Sequence, residues 1–532
     1  MFESIYHRIA DSAPSARDTR TVSARAASLP ILLVLCLLPS PLAAQDIDPL
    51  AEAFSSLELR NLGPFRPGSW ITAIAVPVTD DAEHRYTFYI GARNGGVWKT
   101  TNLGTTFENL TDEVGISAVG SLAIAPSDPE QLWVGTGDAE MARSSYSGTG
   151  VWRSLDGGEN WQQRGLQDSH HVARIVVHPT EPDRIWVASM GHLFSDNAQR
   201  GVFRTDDGGR TWRNVGLHDS HHIGAIAVHP SDPDTAWVAA MGAFYSEGGQ
   251  RGVFRTRDGG ASWERVLAPH GRAWAFDVAV DSSDPATLYA TTWSLRFASG
   301  GGIHRSTDGG TTWRLLTQGL PVERGLGRIE LDVSRSDPRV VYALVQSRAE
   351  DEEPTTELYR STDRGDTWKR RNEEDLQGFL WALGDVRVAP HDSDEVWLLG
   401  VRLLHSTDGG RTTRWIGGEI VHLQPSRAET LHLDHCDLWI DPADPARLAL
   451  GNDGGVYLSW DRGATWLHRN SLPIGEVYDL TVEGGQREHV FLGTQDTAAS
   501  HGPIRPLRRG LDSGWEYVWL DPWSGGDGFV TW

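Results

Sequence analysis

Apolar residues in this chain alternate with polar ones over short runs, and no stretch keeps the three-to-four spacing of an amphipathic helix. Residues 120–129, 173–182, 224–233, 276–285 and 437–445 each read as a half-buried strand ending in a Pro-containing turn. A second apolar strand follows at once, at 131–135, 184–188, 235–239 and 287–290. After a loop of variable length a third strand, such as 150–154 or 201–205, leads into a fixed turn, and a fourth strand leaves it. Four short strands recurring about every fifty residues predict an all-β chain built as a β-propeller of four-stranded blades.

The fixed turn is the strongest signal. It reads Ser/Thr, any residue, Asp, any residue, Gly, any two residues, Trp. Six copies keep every fixed position: Ser154 to Trp161, Thr205 to Trp212, Thr256 to Trp263, Ser306 to Trp313, Ser361 to Trp368 and Ser459 to Trp466. Two are worn, with Asn102 for the Asp in Thr100 to Phe107 and no terminal Trp in Ser406 to Thr413. The central residues are Asn102, Asp156, Asp207, Asp258, Asp308, Asp363, Asp408 and Asp461, in steps of 54, 51, 51, 50, 55, 45 and 53 residues. Such a carboxylate can accept backbone N–H groups just ahead of it, and the Gly supplies positive φ. The hydroxyl ties the strand end, and the Trp wedges between neighbouring repeats. These eight positions are therefore assigned to structure, not catalysis. Eight visible repeats set the expected blade number between seven and ten.

Composition and charge narrow the function. The 58 Gly and 23 Trp against 4 Met suit many short strands and turns. A net charge of −23 leaves no basic stripe for phosphates, which argues against nucleic acid as a partner. Arg17, Arg20 and Arg25 precede an apolar run at 29–38, and Leu42, Ala43 and Ala44 make a cleavage site before Gln45. Residues 1–44 are read as a signal peptide, 45–56 as a short linker, 57–476 as Asp-box blades, and 477–532 as a further blade without an Asp-box plus the start of another repeat. The expectation is an exported chain, periplasmic or extracellular, with no transmembrane segment after cleavage. Only Cys436 would then remain, so no internal disulfide could form.

The tandem turn, its lead-in strand Gly95-Gly96-Val97-Trp98-Lys99-Thr100, and the segments Arg60-Asn61-Leu62-Gly63-Pro64, Trp439-Ile440-Asp441-Pro442, Gly451 to Tyr457 and Gly525 to Phe529 together resemble the Asp-box, or bacterial neuraminidase repeat, proteins. More closely, they resemble the exported bacterial "sortilin N-terminal domain / glycosyl hydrolase BNR repeat" group. That resemblance covers about residues 57–532. It implies a propeller, and a chain cut short before a second propeller. For an enzyme, it points toward xyloglucanases. The Phe-Arg-Ile-Pro segment that sialidases carry is missing. In the two-propeller xyloglucanases one catalytic Asp lies just before a Gly-Gly pair in the first blade, and alignment on Gly95-Gly96 puts Arg93 or Asn94 there. Their second Asp belongs to a second propeller.

Glycoside hydrolysis needs two carboxyl groups flanking the scissile bond. The weak catalytic candidates outside the Asp-box are Asp453 before Gly454-Gly455, Asp496, and Asp527, each at a strand end or loop where turn capping is the simpler account. Asp138 and Arg143, on an inserted loop of the second blade, and the off-pattern tryptophans Trp274 and Trp293, are weak ligand-binding candidates. The candidates for a metal site are the cluster His432, Asp434, His435 and Asp437 and the paired His170-His171 and His221-His222. The first four point alternately to opposite sides of a strand, and no defined third ligand emerged for the pairs, so the expectation is no metal and no cofactor. With no clear carboxylate pair, the expected function is an exported binding scaffold for a protein, peptide or polysaccharide. The alternative is a glycoside hydrolase using an Asp pair.

Overall fold

The computed structural model describes Leu62 and residues 69–518, apart from residues 80, 82–83, 140–144, 245–247, 282, 374, 377–378, 380–382, 418–430, 470, 484–488, 496–497 and 506–515. The leader expected over 1–44, the linker 45–56, and Arg143, Asp496 and Asp527 lie outside the described residues.

The described chain forms nine four-stranded antiparallel sheets, and each sheet is made of four strands consecutive in sequence. Two single-turn 3₁₀ segments, Asp112–Val114 and His218–Ser220, are the helical elements among the described residues. Blades 1 to 8 span 71–109, 119–163, 172–216, 222–267, 274–316, 325–370, 385–416 and 435–468. The first strand of each blade is the inner one. Each blade packs on the next, and blade 8 packs on blade 1 through His435–Ile440 and Leu448–Asn452 against Ile71–Ala75. Eight blades therefore close into a ring. A ninth sheet begins at Val477–Val482, and its strands are not among those that join blade 8 to blade 1.

Inner strands are fastened to their neighbours by polar side chains. The Thr72 hydroxyl donates to Val119 O at 2.9 Å, and Ile175 N donates to Ser121 Oγ at 3.1 Å. Val388 N donates to Asp332 Oδ2 at 2.8 Å, joining blades 6 and 7. Ile74 N donates to Asp437 Oδ2 at 2.8 Å, joining blade 1 to blade 8 in the same manner. The closing seam is thus built like the others. Around the axis the inner strands carry Asp277, Glu330, Asp385 and Asp437 with Arg174, Arg328 and Arg387 among them. Arg328 reaches Glu330 at 2.6 Å, and burial first of all pushes the Glu330 carboxyl well up.

Each Asp-box works as the turn chemistry requires. Asp207 Oδ1 accepts Thr211 N at 3.0 Å and the Thr205 hydroxyl at 2.8 Å, while Thr211 Oγ1 donates to Oδ2 at 2.7 Å. The worn copy keeps this with Asn102, whose Oδ1 accepts Thr106 N at 2.9 Å. The wedge role of the terminal Trp is plainest at Trp263, which donates to Val215 O of the preceding blade at 2.5 Å and meets Trp186 edge-on at 6.4 Å. Trp133, Trp186, Trp237 and Trp397, one per repeat, are buried as the periodicity predicts.

Candidate functional site on the upper face

In every blade the loop entering the inner strand and the hairpin between the second and third strands open on one face of the ring, here called upper; the Asp-boxes lie at the other end of the third strand. The upper face of blades 8, 1 and 2 concentrates buried polar chemistry.

Its centre is Arg93, in the hairpin between Phe88–Ala92 and Gly96–Thr100. The guanidinium Nε donates to Asp138 Oδ2 of blade 2 at 2.7 Å, with side chains 2% and 0% exposed. Its plane covers the Trp70 ring at 4.4 Å. Asp138 also offers its carbonyl to His171 Nδ1 at 2.8 Å, so three successive blades meet here. A desolvated pair of this kind survives because each charge is held by the other.

Half-buried Tyr146 lies beside Arg93, Asn94 and Asp138. Burial and then the Glu476 carboxylate raise its phenol pKa, while Arg93 and a hydrogen bond with Asn94 work the other way. Glu476 arrives from far along the chain. The segment leaving blade 8 lays Leu472 and Ile474 into the core shared by blades 1 and 8, and Glu476 is buried at its end. Gly137 keeps the neighbouring loops close: its φ is +88°, and a Cβ there would lie 1.8 Å from His170 O.

Asp453 occupies in blade 8 the hairpin position that Arg93 holds in blade 1. It is 2% exposed and 2.5 Å from His432 Nδ1. Around it, Tyr457 stacks on His468 at 4.3 Å and its hydroxyl accepts His432 N at 3.2 Å. His435 points into the buried side, where burial and then His432 push its pKa down to about 3. Asp437 turns to the ring axis. The extended strand expected through these residues begins only at His435, with Asp434 at φ +58° before it and a bulge between His435 and Asp437, so simple alternation does not describe the four.

The structure thus brings Asp138 and Asp453 to one face. Trp274 and Trp293 lie in the core, 6% and 1% exposed, with ring centroids 5.1 Å apart. Sequence reasoning missed Glu476, Tyr146 and the central role of Arg93. Only the Gly-Gly alignment pointed to Arg93, and nothing local marks Glu476.

A closed ring of four-stranded blades with an Asp-box at the third-to-fourth turn defines the protein as an Asp-box β-propeller. Two overlapping segments, 149–292 and 251–424, match the Sortilin-Vps10 family (sortilin, neurotensin receptor 3), and the chain belongs to it. Among curated proteins it is similar to xyloglucanase Xgh74A of Acetivibrio thermocellus, 27% identical over 347 residues that make up 55% of this chain and 37% of that protein. It is also similar to a Paenibacillus xyloglucanase, 24% identical over 393 residues, 63% of this chain and 35% of that protein. The chain therefore spans little more than a third of the length of these relatives. Of solved structures, the GH74 xyloglucanase from Xanthomonas campestris overlaps 87% of this chain and 75% of its own at 16% identity, with a TM-score of 0.47. Among the described residues no helix is long and apolar enough to cross a membrane.

Proposed function

We propose that this chain acts on a polysaccharide of the xyloglucan type, as a glycoside hydrolase whose site is the upper face of blades 8, 1 and 2. One observation carries the reading: Glu476, Tyr146, Arg93 and Asp138 converge there from three separate stretches of sequence, with Asp453 on the neighbouring hairpin. Asp138 is committed to Arg93, so its role is positioning. Glu476 and Asp453 are the carboxyl groups assigned to the acid and base or nucleophile that hydrolysis needs. The similarity to two xyloglucanases supports the substrate class. The leader-like residues 1–44 support export, which would bring the protein to such a substrate.

A second reading, glycan capture without cleavage, is favoured by a specific observation. Glu476 and Asp453 are only 3% and 2% exposed, and Arg93-Asn94 stands where the resemblance assigns a catalytic Asp. Xyloglucan is incubated with the purified protein, and both released reducing ends and retained protein are scored. Release that falls by at least about a hundredfold in Glu476→Gln or Asp453→Asn supports hydrolysis. Retention without release leaves the capture reading, and neither signal removes both.

A further inference from the structure

We propose that Asp168, His170 and His192 form a binding site for a divalent first-row transition ion, with zinc the ion best matched by the donor set. This departs from the expectation of no metal and does not rest on the proposed hydrolysis. The three side chains come from the two upper-face loops of blade 3, one entering Val172–Val177 and one joining Ile185–Ser189 to Gly201–Thr205. Their ligand atoms all lie within 4.8 Å of one another. Asp168 Oδ1 is 2.9 Å from His192 Nε2 and 3.9 Å from His170 Nε2. Bonds of 2.0–2.1 Å in a tetrahedral site place neighbouring ligand atoms roughly 3.3 Å apart. The two observed distances bracket that value, and because the two imidazoles stack with planes 25° apart, ring rotation is what brings both lone pairs onto one ion. Two imidazoles and one carboxylate leave a fourth position, on the solvent side, for water.

The surroundings are built to hold these ligands. The imidazoles of His170 and His192 stack at 3.7 Å. His170 sits at φ +53°, a left-handed conformation unusual for a residue with a side chain. Asn197 Nδ2 donates to Asp168 O at 2.5 Å and to its Oδ2 at 3.2 Å, and Asp168 N donates to Gln199 Oε1 at 2.8 Å. Ser195 Oγ lies 3.0 Å from His192 Nδ1, the outer partner that fixes a metal-bound imidazole. With no ion, His192 Nε2–H donates to Asp168 and Nδ1 accepts from Ser195. When an ion binds at Nε2, the single ring proton shifts from Nε2 to Nδ1, and Nδ1–H then donates to the Ser195 hydroxyl.

The repeat supplies an internal comparison. Asp168-Ser169-His170-His171 recurs in blade 4 as Asp219-Ser220-His221-His222, but Met190-Gly191-His192 becomes Met241-Gly242-Ala243. The third ligand is missing there, and His221 Nδ1 instead lies 2.8 Å from Arg200 Nη1. One copy of the duplicated loop pair is complete and the other is not.

The test is titration of chelator-treated, untagged full-length protein with Zn²⁺ by calorimetry, repeated with Co²⁺ to read the visible absorption of a tetrahedral site. One equivalent bound by the wild type is expected. His170→Ala and His192→Ala should each weaken it at least about a hundredfold, and Ser195→Ala roughly tenfold. His221→Ala should bind as the wild type does. Thermal melts of the ion-free variants close to wild type would establish that the loss is local, since the loops are open to solvent. No stoichiometric uptake, or uptake that survives in the His170→Ala/His192→Ala double variant, overturns the site.

Discussion

Removing the Arg93 guanidinium tests whether the upper-face cluster is an electrostatic unit. In Arg93→Met the Asp138 carboxylate, 0% exposed, stays buried without its 2.7 Å partner. Taking away one member of a buried pair costs about 3–5 kcal/mol, because the remaining charge keeps its desolvation penalty. Loss of the cation over Trp70 at 4.4 Å adds about 1 kcal/mol. The sum, about 4–6 kcal/mol, is a large share of the stability of a folded protein. Asp138→Leu alone should cost a similar amount for the mirror reason. The double variant Arg93→Met/Asp138→Leu removes both members of the pair, so it should recover most of the loss, with a coupling energy of about 3 kcal/mol or more. Urea denaturation followed by tryptophan fluorescence measures the cycle. A single-variant cost below about 1 kcal/mol, or a double variant equal to the sum of the singles, would refute the argument that the two charges hold each other.

Three further outcomes follow from single groups. Hydrogen bonds hold Asp207, Asp258 and Asp308 down to about 2, first through Thr211, Ser262 and Thr312 respectively. A depressed carboxyl pKa gives stability that is present above about pH 4 and lost toward pH 2, so melting temperature should fall across that window, and less steeply in Asp207→Asn. Burial lowers His222 and His304 to about 4. The unfolded chain then binds protons first, stability falls as pH drops from about 6.5 to 4, and the urea midpoint of His304→Gln should show a shallower slope there. Gly137→Ala forces a side chain into φ +88° against His170 O at 1.8 Å. The strain alone costs roughly 1–2 kcal/mol, and a melting temperature equal to wild type would contradict the packing described.

The fold was legible because its signals are local and repeated. Asp207 bonds within its own turn, and Thr205, Gly209 and Trp212 serve that turn too, so eight copies could be aligned by eye. Closure was not legible. It depends on Asp437 reaching Ile74, 363 residues away, and on Leu472 and Ile474 entering the core of blade 1. The candidate site was half legible for the same reason. Asp453 advertises itself beside Gly454-Gly455, and Asp138 beside its inserted loop. Arg93 finds Asp138 45 residues away, and Glu476 reaches them only after the whole ring has been traversed. His192 shows the point at small scale. Its partner loop carries Asp168 and His170, but the sequence gives no sign that the two loops touch.

Every blade draws its four strands from one continuous stretch, including blades 1 and 8. Among the described residues no strand is lent across the closing seam, so no backbone ladder between them staples the ring shut. Closure works as a clasp: the Ile74–Asp437 hydrogen bond, the Ile71, Ala449 and Ile474 packing, and the crossing segment that ends at Glu476. Under strain such a ring yields first at the clasp. The crossing segment that carries Glu476 into the upper-face cluster also fastens that clasp, so opening the ring and dismantling the candidate site are one event.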